Sequence, residues 1–234
     1  MTQLHKRNGF TIIELTLAMT FLSILLVMIT MMVIRVGDIY NRGLTIKDVN
    51  QAGRVIIRDL QQTISQSRSF DVTGGKNFVQ TEYGGRLCTG QYSYIWNYAK
   101  TITESPKISD DNKANFDKNN NMMRLIRIPD STSNYCLNST NDLGKKIAVS
   151  SVQDLLGTDD LTLALYDFSI TQSAFDAKTG QGLYYISFTV GTDSAAAANK
   201  DAISCTPDVA QLDISYCSVN QFNMVVRAGN EIQY

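Results

Sequence analysis

Hydrophobic and polar positions divide the chain into three stretches. From Leu15 to Ile34 there is no charge, no proline and no glycine; the flanking charges are Glu14 and Arg35. At about 1.5 Å per residue this run makes a helix of roughly 30 Å, one bilayer core. After Gly37 the apolar positions thin out to Val49, Ala52, Ile56, Leu60 and Ile64, at spacings of three and four. That spacing is the stripe of an amphipathic helix, with Lys47, Asp48, Arg54, Arg58 and Gln61 on the opposite face. The two stretches predict one long rod, the first half suited to lipid and the second laid on a domain, with Gly37, Gly43 and Gly53 as points of softening.

From Phe70 the pattern becomes one of short strands. Gly74-Gly75 and Gly84-Gly85 predict turns. Tyr92–Tyr98 and Met123–Ile128 predict strands, as do Leu161–Leu165, Asp167–Thr171 and Leu183–Val190. A Lys-Thr-Gly-Gln-Gly signal within 172–182 predicts a hairpin, residues 151–157 a short helical turn, and Phe222–Arg227 a closing strand. The expected fold class is α+β: a long N-terminal helix packed on an antiparallel β-sheet. There is no internal repeat.

The 234 residues carry a net charge of −1 and a pI near 5.8, without the basic footprint of a nucleic-acid binder. The one histidine, His5, precedes the apolar run. A histidine-based nucleophile and most catalytic zinc sites are therefore not expected in the domain. No catalytic residue, metal site or cofactor is predicted. Asp117, Asn119 and Asn121 mimic the start of a calcium loop, but Met122 and Ile128 occupy the glycine and bidentate-glutamate positions. Tyr92, Tyr94, Trp96 and Tyr98 share one strand parity and are expected to form one face of a sheet, the alternative being a stripe that binds glycans or a partner.

The four cysteines, Cys88, Cys136, Cys205 and Cys217, lack a Cys-x-x-Cys pair and suit two disulfides outside the cytoplasm. Three connectivities are open. Cys205–Cys217 with Cys88–Cys136 is the expected one, because the short loop closes most readily.

Lys6 and Arg7 keep the N-terminus cytoplasmic by the positive-inside rule, which sends everything after Gly37 outward. The run is too long for a secretory signal peptide, and Met32–Val36 is a poor cleavage exit. The segment Lys-Arg-Asn-Gly-Phe-Thr-Ile-Ile-Glu-Leu, residues 6–15, resembles the class III signal of the type IV pilin and pseudopilin family. The resemblance is strict over residues 6–36 and architectural beyond. It implies cleavage between Gly9 and Phe10 by a prepilin peptidase/methyltransferase, N-methylation of Phe10, and an assembly role for Phe10 and Glu14. It divides the chain into a cleaved leader (1–9), a membrane and filament-core helix (10–36), an amphipathic continuation (37–69) and an extracytoplasmic β-rich domain (70–234). It implies as partners other pilin subunits in a hetero-oligomeric helical filament, and a membrane assembly platform.

The chemistry of Glu14 agrees with that implication. A carboxylate in an apolar run is costly and usually paired. Cleavage would leave an α-amine on Phe10, charged at neutral pH. Amine and carboxylate on neighbouring subunits would neutralise each other and set the axial register. The competing role is local, since an acid in the first helical turn is stabilised by the helix dipole.

These readings predict a single-pass membrane subunit that later joins a cell-surface filament. The large domain leans towards a minor pilin that primes assembly or sits at the tip. A pseudopilin of type II secretion is the leading alternative, and a tip adhesin or DNA-capture module a second.

Overall fold

The structure, a computed structural model, describes residues 11–103, 123–135, 152–156, 163–193, 198–199, 204–205 and 217–229. Helix α1 runs from Ile12 to Ser65, and the chain divides into two units between Asn41 and Arg42.

In the first unit every residue from Thr11 to Tyr40 is exposed. The hydroxyls in this stretch do not break its apolar surface. Thr16, Thr20, Ser23 and Thr30 donate to the carbonyls of Ile13, Leu17, Met19 and Leu26 at 2.8–3.0 Å. Each polar group is satisfied within its own helix. This stretch is long and apolar enough to cross a membrane.

In the second unit the remainder of α1 buries Val49, Ala52, Ile56, Leu60 and Ile64, the residues of the predicted stripe. Thr45, Gly53 and Thr63 join them. The helix stops where Ser67 turns back on it: its backbone N–H and its hydroxyl both donate to the Ile64 carbonyl.

The strands form an antiparallel five-stranded sheet in the order β1 (Phe78–Gln80), β2 (Gly84–Cys88), β3 (Tyr92–Asn97), β4 (Leu125–Pro129), β5 (Gln153–Asp154). A three-stranded antiparallel sheet has β7 (Gln181–Thr192) between β6 (Leu163–Asp176) and β10 (Val219–Ala228). Two short strands, β8 (Ala198–Asn199) and β9 (Ser204–Cys205), pair separately. A short helix α2 (Ala99–Thr103) follows β3, and an isolated parallel bridge from Tyr98 to Leu165 connects the two larger sheets.

The core lies where α1 and both larger sheets meet. Trp96 of β3 packs on Phe168 of β6 with centroids 4.5 Å apart, and the chain of rings continues through Phe188 to Phe222. Phe70 stacks on Tyr184 at 4.6 Å, and the Tyr184 hydroxyl donates to the Phe70 carbonyl while accepting from its N–H.

The fold is α+β with antiparallel sheets, as expected, but several local expectations differ. Gly84 and Gly85 are not a turn; they open strand β2, because Trp96 packs directly across them. A Cβ on Gly85 would lie 2.4 Å from the Trp96 ring, and one on Gly84 2.2 Å from its carbonyl oxygen. Residues 153–154 are a strand paired with β4 rather than a helical turn. Gly53 does not soften α1. It admits the Phe222 ring, whose Cζ would sit 2.1 Å from a Cβ there. The expected hairpin forms with a tighter turn, β6 and β7 closing at Gly180 (φ 67°). Tyr94, Trp96 and Tyr98 are buried, which leaves no exposed aromatic stripe, while Tyr92 is half-buried beneath the Arg127 guanidinium.

Candidate functional site

The candidate site is the start of α1. Thr11 is the residue before the helix, and its carbonyl accepts the first helical bond from the Leu15 N–H at 3.2 Å. The Thr11 N–H and hydroxyl both donate to Glu14 Oε2 at 2.9 Å. The Glu14 N–H donates back to Thr11 Oγ1 at 3.3 Å. This reciprocal arrangement is a capping box, in which N-cap and third helical residue satisfy each other's orphan N–H groups. The sequence signature is Thr-x-x-Glu ahead of an apolar run, and it identifies Thr11, which the reading of Glu14 as a lone charge misses. Oε1 of Glu14 has no hydrogen bond among the described residues, so one edge of the carboxylate remains open to a donor. Gly9 and Phe10, the predicted cleavage and methylation positions, lie outside the described residues.

A second polar constellation joins α1 to the five-stranded sheet. Tyr94 donates to Asp59 Oδ2 at 2.7 Å and lies 2.8 Å from the Thr63 hydroxyl. Arg127 forms an ion pair with Asp59, and its other nitrogen donates to Gln153 Oε1 at 2.5 Å. The guanidinium lies 4.9 Å above the Tyr92 ring. Burial and then the Asp59 charge raise the Tyr94 phenol far above its ordinary value, so it stays a donor at any physiological pH. This network joins a donor, an acceptor and a cation. It fixes the helix on the sheet.

Cys205 and Cys217 form a disulfide, the pairing expected from the sequence. Cys88 is also disulfide-bonded, and no described cysteine is free. Cys136, its expected partner, lies outside the described residues, as do the Asp117–Asn121 loop and its calcium-like oxygens. Among the described residues no group of His, Cys, Asp and Glu side chains is placed to hold a metal ion.

The fold and this helix start define a class: an α+β protein headed by a long, exposed apolar helix capped by a threonine–glutamate pair. No family model matches the chain, and comparison with curated proteins and with solved structures gives no match.

Proposed function

We propose that the chain is a structural subunit of a type IV filament, a minor pilin that primes assembly or sits at the tip. The observation that carries the reading is the register at the N-terminus. Gly9-Phe10 is followed by Glu14 and then by a full-length apolar run, as in the class III prepilin signal.

The described helix supports it in two ways. Every residue from Thr11 to Tyr40 is exposed, most of them apolar, and such a surface is stable only in lipid or against other helices. The free Oε1 of Glu14 offers an acceptor to a neighbouring subunit's Phe10 amine, while Oε2 remains in the cap. In this reading the subunit waits in the cytoplasmic membrane with residues 1–9 on the cytoplasmic side. The peptidase removes the leader, and lateral helix packing then draws the subunit from lipid into the fibre. The work is assembly rather than catalysis.

Mass spectrometry of the membrane-extracted protein tests it. The expected N-terminus is Phe10 bearing one methyl group, and Gly9→Val should abolish cleavage. An intact Met1 terminus, or a cut beyond the apolar run, would refute the assignment.

A further inference from the structure

An open strand edge is a template for pairing with another chain, and folded proteins usually guard such edges with short strands, bulges, charges or a covering element. Among the described strands of the two larger sheets, most edges are guarded. In the five-stranded sheet the edge strands β1 and β5 have three and two residues. In the three-stranded sheet β6 carries two register shifts and two aspartates, Asp167 and Asp176, and its beginning is bridged to Tyr98.

The other edge, β10, has fewer of these devices: among the described residues nothing bonds to its open side until Gly229, just past the strand, donates to the Ser67 carbonyl at 2.8 Å. It pairs with β7 over all ten of its residues without a register shift. It contains no proline, lysine or acid, and its one charge is Arg227. Its hydrogen-bonding parity follows from the pair just before it, where the Thr192 N–H donates to the Ser218 carbonyl at 3.0 Å. Residues in step with Ser218 therefore direct their backbone groups to β7. Val219, Gln221, Asn223, Val225 and Arg227 direct theirs to the open side, and none of these groups bonds to another described residue. From Gln221 onward the side chains of that set are exposed too.

A second feature lies beside this edge. A groove of about 380 Å³ runs between α1 and the start of β10, lined by Arg42, Ile46, Asn50, Val219 and Asn220 together with the Cys205–Cys217 disulfide. Among the described residues that line it, Arg42 is the one that carries a charge. Among the described residues, edge and groove thus present a cation at each end, Arg42 by Val219 and Arg227 near the end of β10, with no described acid lining the groove or lying on the strand. An extended ten-residue segment is about 33 Å long and covers the strand from one cation to the other.

We propose that the β10 edge is a strand-addition site for an extended segment of another polypeptide carrying acidic residues near both ends. The added backbone would complete the ladder at the open odd-numbered positions. One row of its side chains would lie beside Asn223 and Val225, and the other would enter the groove over Ile46. The inference goes beyond the filament reading and does not depend on what the apolar helix does.

The test uses the full chain in detergent micelles and two fluorescein-labelled peptides, Glu-(Thr-Val)₄-Glu and Lys-(Thr-Val)₄-Lys. Fluorescence anisotropy should show saturable binding of the glutamate peptide, tighter than the lysine peptide by about ten-fold or more at low salt. Amide exchange at Gln221, Asn223 and Val225 should slow on binding, while that at Phe222 and Met224, already in the ladder, should not change. Asn223→Pro removes an N–H that β7 does not use, together with the exposed bond from the Tyr185 hydroxyl to the Asn223 side chain, so it should weaken binding by about ten-fold or more; Asn223→Ala, which loses only the latter, should bind normally and share any small fall in the unfolding midpoint. Arg227→Glu leaves the backbone intact and should bring the two peptides towards equal affinity or reverse their order. No saturable binding up to about 1 mM, equal binding of both peptides to the unaltered chain, or binding indifferent to Arg227→Glu would overturn the proposal.

Discussion

Two substitutions at the head of α1, Thr11→Val and Glu14→Gln, separate two jobs that one carboxylate could do. The Thr11 hydroxyl donates to Glu14 Oε2 and accepts from the Glu14 N–H, so valine removes both bonds at once. Loss of an N-cap costs about 0.5–2 kcal/mol, felt in the first turn of a helix that continues for 54 residues. Glutamine at position 14 keeps an oxygen that can accept from the Thr11 N–H, and glutamine serves in capping boxes. Its local cost is only the lost attraction to the helix dipole, about 0.3–1 kcal/mol. If Glu14 only caps its helix, Thr11→Val is the more damaging change. The assembly reading reverses the order. Thr11→Val leaves the carboxylate in place for a neighbour's Phe10 amine. Glu14→Gln leaves that amine unpaired in an apolar surround, and breaking a buried pair costs about 3–5 kcal/mol, more than about a hundred-fold in subunit incorporation. The assay is the ratio of each variant in sheared filaments to that in membranes. Cleavage at Gly9 serves as a control for insertion, and total filament number is read as well in case the subunit is scarce. Glu14→Gln and Glu14→Ala should be processed yet fail to assemble, with Thr11→Val near normal. Normal assembly of Glu14→Gln with a defect in Thr11→Val would reduce Glu14 to a cap.

Three further outcomes concern the domain, with the fluorescence of Trp96, the chain's one tryptophan and fully buried, as the reporter of urea unfolding. Asp59→Ala removes the carboxylate that Arg127 and the Tyr94 hydroxyl share, leaving them Gln153 and Thr63, and should destabilise the domain by about 1–3 kcal/mol; Asp59→Leu with Arg127→Met should recover much of that, and an unchanged midpoint for Asp59→Ala would show the pair contributes nothing. Gly85→Ala places a methyl 2.4 Å from the Trp96 ring and 2.7 Å from the Val79 carbonyl oxygen, an overpacking cost of about 1–3 kcal/mol, so its midpoint should fall with the slope unchanged. Burial pushes the Tyr98 phenol up to about 12 and raises Tyr94 further. Between about pH 10, where an unfolded tyrosine ionises, and 12 the native state holds protons the unfolded chain has lost, so the contribution of these two tyrosines to stability should be constant below about pH 10 and be lost above it; a tyrosine absorbance titration complete by about pH 11 in still-folded protein would contradict this.

Glu14 and Thr11 mark how far reading along the chain reaches. Their contact spans three residues, and the Thr-x-x-Glu signature announces it without any tertiary information. The apolar run and the stripe Val49–Ile64 are equally local. A helix repeats every 3.6 residues, so membership of its buried face is written in the spacing, and all five stripe positions are buried. The Cys205–Cys217 pairing also follows from proximity along the chain, since a twelve-residue separation favours closure.

By itself, then, the sequence determined the elements: a long helix with an apolar head and an amphipathic continuation, strands after it, and the β6–β7 hairpin. Only the tertiary structure decided how those elements meet. Asp59 and Arg127 are 68 positions apart, and neither position carries a signal for the other. Gly84 and Gly85 read as a turn because glycine is permissive, but Trp96 crossing from the next strand makes them a strand with no room for a side chain. Gly53 reads as a weak point of the helix until Phe222 is seen to fill the space beside it. That β10 is an edge, and a sparsely guarded one, is a property of strand order, which the alternation of Val219–Ala228 does not encode. The reason is the same in each case. Period and capping are set by backbone geometry within a few residues, whereas burial, pairing and exposure depend on which distant surface arrives.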